Sequence, residues 1–150
     1  MNALRLLVPT ALAALCGSAA QACDGLVASA GWIRQPPPNA SHAAGYVTLA
    51  NEGPQAVVLS GVSSPDFEGA MLHETRYSDG RAQMRHVDTL TIAPGERMQA
   101  RPGGLHVMLV RPRVTLAADA LVEVDFLCAT GAPLATWLVV RRDAPAPAAD

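Results

Sequence analysis

The chain has 150 residues, half of them hydrophobic, and a formal net charge of −2. This length is enough for one domain with its own apolar core and gives no reason to expect a second domain. The mild acidic charge argues against nucleic acid or an anionic membrane surface as a partner, because both bind clustered positive charge.

The chain begins with a segment typical of a secretory signal peptide. Residues 1–22, MNALRLLVPTALAALCGSAAQA, carry a basic residue at Arg5, then a short apolar run, and end in the small-x-small motif Ala20-Gln21-Ala22. No stretch reaches the roughly 20 apolar residues that a membrane-spanning helix needs. We therefore predict an exported protein without a membrane span. Its mature net charge would be −3, because cleavage removes Arg5 and no acidic residue.

Two cysteines, Cys23 and Cys128, remain after cleavage at residue 22. Neither Cys16, which follows Leu15, nor Cys23, which has Gln21 two positions before it, has the preceding residues that suit lipid attachment. An even number of cysteines in an oxidising compartment is most simply explained by a disulfide. Two free thiols are the alternative.

The rest of the chain is predicted to form short strands separated by turns. Apolar and β-branched stretches are divided by turn-forming clusters such as NEGPQ, SDG and APGE, and no helical periodicity is visible. This pattern predicts an antiparallel β-sandwich at residues 23–143, followed by a flexible Pro/Ala tail at 144–150. The predicted strands are Leu26–Arg34, Gly45–Asn51, Ala56–Val62, Met71–Tyr77, Ala82–Val87, Thr89–Ile92, Arg97–Ala100, Leu105–Val110, Leu121–Leu127 and Thr136–Arg141.

The first stretch that could carry chemistry is MLHETRYSDGRAQMRHV, residues 71–87. If its Asp79-Gly80 pair forms a two-residue turn, His73 faces His86, and Met84 lies diagonally from His73 on the same side of the hairpin. A three-residue loop would shift the register by one residue and separate His73 from Met84. The pairing is therefore conditional on the turn.

The second such stretch is GGLHVMLV, residues 103–110. If it is a strand, its alternating apolar residues face the core, and His106 and Met108 lie together on the opposite face. The apolar residues that supply the burial are Leu105, Val107 and Leu109.

Together the two stretches offer two imidazoles and two thioethers. Thioether sulfur is a soft ligand and imidazole a borderline one, so this set favours Cu(I) over hard cations, whereas a zinc site would be expected to use Cys or carboxylate beside His. Taken singly, a strand methionine is most often a packing residue and a lone histidine a surface residue. Only the joint pattern of His73, Met84, His106 and Met108 points to a metal.

The spacing of those four residues, H-x10-M-x21-H-x-M, resembles the signature of the periplasmic copper chaperone family often called PCuAC. The flanking motifs GWIRQPPPNASHAAGYVTLAN, SDG and RPGGLHVMLV also look like those of the family. The resemblance covers roughly Ala28–Val140.

The resemblance implies a cupredoxin-like sandwich with Greek-key connections that binds one Cu(I) at an exposed end. It implies the ligands His73, Met84, His106 and Met108. Met71 and His86 do not match the signature, and they are candidates either for auxiliary ligands or for residues that line the entrance to the site. Some family members also bind Cu(II) through a His- and Met-rich tail, but the tail of this chain, DAPAPAAD, has neither residue.

The function that the resemblance implies is that of a periplasmic carrier, expected to be a monomer and not an enzyme. It would deliver Cu(I) to the assembly of cytochrome c oxidase, either at the subunit with the dinuclear copper centre or through a Sco-type thiol protein. The residues themselves show no Ser-His-Asp arrangement, no recognisable pair of carboxylates and no phosphate loop.

Two alternatives come from other functional classes. A cupredoxin-type electron-transfer protein would need a cysteine ligand beside two histidines, and Cys128 has no neighbouring histidine in the sequence. In a structural or adhesive exported β-sandwich the histidines and methionines would be incidental, and the protein would take up no stoichiometric Cu(I).

Overall fold

The computed structural model describes residues 23–146, which form ten β-strands and no helix. This part of the chain therefore has no helix that is long and apolar enough to cross a membrane. The predicted signal peptide with Cys16, and residues 147–150 of the predicted tail, lie outside the described residues. The strands are β1 (Leu26–Arg34), β2 (His42–Asn51), β3 (Val57–Ser63), β4 (Phe67–Ser78), β5 (Arg81–His86), β6 (Leu90–Ile92), β7 (Arg97–Gln99), β8 (Leu105–Pro112), β9 (Leu121–Cys128) and β10 (Leu134–Arg141).

The predicted all-β class is confirmed, and the strands join in the order β5-β4-β8-β2-β1-β10-β9-β3-β6, with β7 also paired to β2. Among the described strand pairs, all are antiparallel except β1 and β10, which run parallel with Trp32 opposite Val139. The sheet is therefore mixed, and the expectation of a purely antiparallel arrangement was wrong at this one pair.

One apolar core lies between the two halves of this sheet. Leu72 of β4 and Leu59 of β3 come from strands near opposite ends of the order, yet both belong to the same buried cluster. The sheet therefore folds over its own core as a sandwich does. Strand β9 shows the pattern that builds the core, since Val122, Val124 and Phe126 are fully buried and the acidic residues between them point outward.

A disulfide joins Cys23 to Cys128, with their Cα atoms 5.6 Å apart. The even number of cysteines predicted this pairing. Cys23 is almost completely buried, and its backbone N–H donates a hydrogen bond to the carbonyl of Ala132. The bond therefore fastens the chain just before β1 to the end of β9, across 105 positions of sequence.

Strands β4 and β5 form a hairpin with the register that the sequence predicted. Asp79 and Gly80 both have positive φ, 51° and 73°, as a two-residue turn of this kind requires. His73 is opposite His86, and Met84 is opposite Thr75, so the predicted register is confirmed. Every residue of β5 is exposed, because this strand lies at one end of the sheet order.

Candidate metal centre

Three histidines lie in a line across three neighbouring strands. His73 on β4 is directly opposite His86 on β5 and directly opposite His106 on β8. Directly opposed residues of an antiparallel pair share a face of the sheet. The three side chains therefore form one imidazole row on a single face.

Methionines lie on both sides of this imidazole row. Met71 and Met108 are opposite each other, one on β4 and one on β8, each two residues from a histidine of the row. Met84 lies on the other side of the row, two residues from His86. Since every second residue of a strand faces the same way, the three thioethers share the face of the imidazoles.

The structure brings His73 into direct contact with Met84, its predicted partner. The Nδ1 atom of His73 is 3.2 Å from the Sδ atom of Met84. The ring of His73 is perpendicular to both neighbouring imidazoles, with centroids 5.6 Å from His86 and 6.0 Å from His106. Strand pairing places Met108 on the same face, beside His106. All four signature residues thus meet on one surface, and the two auxiliary candidates lie within it.

The candidate site runs from a buried side to an exposed side. His106 is only 6% exposed, His73 and Met108 are half-buried, and Met84 is 53% exposed. The sequence predicted that β8 separates a core face from an open face. That expectation needs correction at two positions, since His106 is itself buried and Leu105 is only half-buried.

A backbone carbonyl fixes the orientation of His106. The Nδ1 atom of His106 lies 3.0 Å from the carbonyl oxygen of Gly104, which also accepts the backbone N–H of Thr75 at 3.1 Å. A carbonyl oxygen only accepts hydrogen bonds, so Nδ1 must carry the proton, and the Nε2 atom keeps its lone pair for a metal. This role of the turn before β8 was not predicted from the sequence, although the Gly103-Gly104 pair indicates a turn there.

The surroundings of His73 favour the neutral form of its imidazole. Burial lowers its pKa below the ordinary 6.5, and the neighbouring His106 and His86 lower it further. Only a neutral imidazole can bind a metal, so this shift favours coordination over protonation.

The charged side chains of the hairpin lie on its other face. Glu74 accepts hydrogen bonds from Arg76 at 2.8 Å and from Arg85 at 3.2 Å, and these arginines, Arg76 first, lower the pKa of its carboxyl group. Between residues 23 and 146, no three His, Cys, Asp or Glu side chains are arranged so that they could hold a metal ion. With the side chains as they stand, a metal centre on this face therefore needs the methionine sulfurs.

The chain matches a known protein family over most of its length. The family model LpqE-like, named after a lipoprotein, matches residues 26–140. A curated relative, the uncharacterized protein RP573 of Rickettsia prowazekii (strain Madrid E), is 31% identical over 87 residues, which are 57% of this chain. The match spans about half the length of that relative, 48%.

Solved structures share the fold over most of the chain. The solution structure of apo-DR1885 from Deinococcus radiodurans is 29% identical, with 95% of each chain covered and a TM-score of 0.63. The CuI-DR1885 structure from the same organism is 28% identical, with 84% of each chain covered and a TM-score of 0.64. The copper-bound PCuAC domain from PmoF2 is 21% identical and has a TM-score of 0.67, with 82% of this chain and 97% of that chain covered. At this identity the match shows a shared fold.

Proposed function

Because this chain belongs to the LpqE-like family and has the fold of PCuAC domains, we propose that it is an exported copper(I) chaperone without catalytic turnover. It binds one Cu(I) through His73, Met84, His106 and Met108. The observation that carries the proposal is the shared face on which His73 contacts Met84 at 3.2 Å and adjoins His106. The copper(I) form of DR1885, 28% identical, supports the choice of metal.

The donor set suits Cu(I) better than other metals. Two neutral imidazoles and two neutral thioethers leave the bound ion with a single positive charge, and thioethers are poor ligands for zinc or for hard cations. A blue-type copper centre would need a cysteine ligand. Within residues 23–146 both cysteines are joined in the disulfide, which argues against the electron-transfer alternative.

The gradient of exposure suggests how copper leaves. An incoming ligand reaches the exposed Met84 first, whereas His106 is buried and held by the Gly104 carbonyl. Copper would therefore pass through an intermediate in which His106 still binds while the acceptor has replaced Met84. Thiolates bind Cu(I) more tightly than thioethers do, so transfer to a thiol acceptor runs downhill.

The compartment is proposed to be the periplasm. The signal peptide at residues 1–22 would direct export and would be cleaved after residue 22. A disulfide between Cys23 and Cys128 suits an oxidising compartment. The family is named after a lipoprotein, but a cysteine carries a lipid through its sulfur, and the sulfur of Cys23 is bonded to Cys128. While this disulfide is formed, Cys23 carries no lipid.

The acceptor is proposed to be a Sco-type thiol protein or the cytochrome c oxidase subunit with the dinuclear copper centre. Mixing the monomeric Cu(I)-loaded protein with a reduced Sco-type protein should move nearly all copper to the thiols. Anaerobic separation of the two proteins followed by metal analysis measures the transfer. A Sco variant without its two cysteines is the control and should take up none. Copper that stays on the chaperone in both mixtures would exclude this class of acceptor.

Proton competition tests the histidine ligands. At pH 7.5 the protein should take up one tight equivalent of Cu(I), and the affinity should fall as the solution is acidified to pH 5, because each imidazole must be neutral to bind. Burial first, and then His106 and His86, lower the pKa of His73, so protons compete at this residue only below the ordinary value of 6.5.

The measurement is an anaerobic competition with a chromogenic Cu(I) chelator, corrected for the protonation of the chelator itself. Equal affinities at pH 5 and pH 7.5 would rule out the two histidines as ligands. No uptake at pH 7.5 would favour the structural or adhesive alternative.

A further inference from the structure

The proposed Cu(I) site uses only two of the three imidazoles in the row. The third, His86, lies opposite His73 with its ring perpendicular and 5.6 Å away. We propose that His86 completes a second ligand set, in which His73, His86 and His106 bind Cu(II) on the same face. The inference rests on the proposed function, because the two ligand sets share His73 and His106.

The nitrogen and sulfur donors on this face favour different oxidation states of copper. Cu(II) prefers imidazole nitrogen in a tetragonal arrangement and binds thioether weakly, whereas Cu(I) accepts thioether readily. On this face the nitrogen donors form the central row, and the sulfur donors lie on either side of it. Copper above His73 can therefore take Met84 and Met108 as Cu(I), or His86 as Cu(II), without any change of strand pairing.

His86 has to turn to reach this position. Its Nε2 atom now lies 3.4 Å from the Oδ1 atom of Asp88, and the three imidazoles do not yet converge on one point. This movement costs little, because the side chains of His86 and Asp88 are 52% and 91% exposed, and a contact between exposed polar side chains contributes little to stability. The edge strand β5 has no neighbour beyond it among the described strands to block the movement.

Three forms of the protein test the assignment: the wild type, His86→Ala and the control His42→Ala. His42 is exposed on β2, opposite Val110, and is not part of the row. Titration with Cu(II) should give one equivalent in the wild type, with nitrogen couplings in the electron paramagnetic resonance spectrum. His86→Ala should weaken Cu(II) binding by at least about tenfold, since even an outer-shell partner changes metal affinity by 10–100-fold. It should weaken Cu(I) binding much less, because the four proposed Cu(I) ligands remain. His42→Ala should bind both ions as the wild type does.

A reciprocal variant separates this inference from the proposed function. Met84→Leu with Met108→Leu should lose Cu(I) and keep Cu(II). If His86→Ala binds Cu(II) as tightly as the wild type, or loses Cu(I) equally, the second ligand set is wrong. If the wild type binds Cu(I) but no Cu(II), this inference fails and the proposed function stands. If the wild type binds Cu(II) but no Cu(I), the proposed function fails instead.

Discussion

Replacing Met84 and Met108 together with leucine is expected to weaken Cu(I) binding by roughly 100-fold or more, since even outer-shell partners of a metal ligand change affinity by 10–100-fold. The two sulfurs are the soft donors that distinguish this site from an ordinary histidine pair. Leucine is close to methionine in volume, and Met84 is already exposed, so the fold should be kept. Anaerobic titration against a chromogenic chelator measures the loss.

Two single variants serve as controls for this experiment. Met98→Leu changes a methionine that packs against the core, and it should leave Cu(I) binding unaltered. Met71→Leu removes the auxiliary candidate opposite Met108, and it should have a smaller effect than the double change. One tight equivalent of Cu(I) on the Met84 and Met108 double variant would show that the thioether site is wrong.

Removing the disulfide should produce the largest loss of stability. The Cys23→Ala, Cys128→Ala variant is expected to have a free energy of unfolding lower by about 4 to 5 kcal/mol, because the bond closes a loop of 105 positions in the unfolded chain. Denaturation in urea, followed by circular dichroism, measures the change.

The reduced wild type is the matched control, and it should lose a similar amount of stability. Cu(I) binding by the folded variant should be retained, since neither cysteine is a proposed ligand. An unchanged denaturation midpoint would show that the disulfide does not stabilise the native state.

The sequence predicted those parts of the fold that depend on neighbouring residues. The ten strands follow from local alternation, and the hairpin register follows from Asp79-Gly80, because positive φ at both positions gives a two-residue turn. The alternation also put His106 and Met108 on one face. For the ligand set itself, the resemblance to a known family supplied the combination of residues.

Pairing between distant strands could not be predicted in this way. Periodicity does not determine that β4 lies beside β8, or that His73 is opposite His106. The parallel pairing of β1 with β10 was missed for the same reason. The burial of His106 depends on these contacts, and its tautomer depends on a carbonyl in the turn before β8. Neither is visible in the residue pattern.

The place of β10 in the sheet has a consequence for how the chain folds. This strand is the last of the described strands in the sequence, yet it lies in the middle of the strand order, between β1 and β9. Synthesis of the domain is thus nearly complete before the pair β1–β10 can form. Until then Trp32 of β1 lacks its pairing partner, Val139 of β10. Such non-local pairing folds slowly. A nascent chain would therefore keep the two sides of the sheet apart until β10 has been synthesised, although β4, β5 and β8, which carry the candidate site, precede β10 in the sequence.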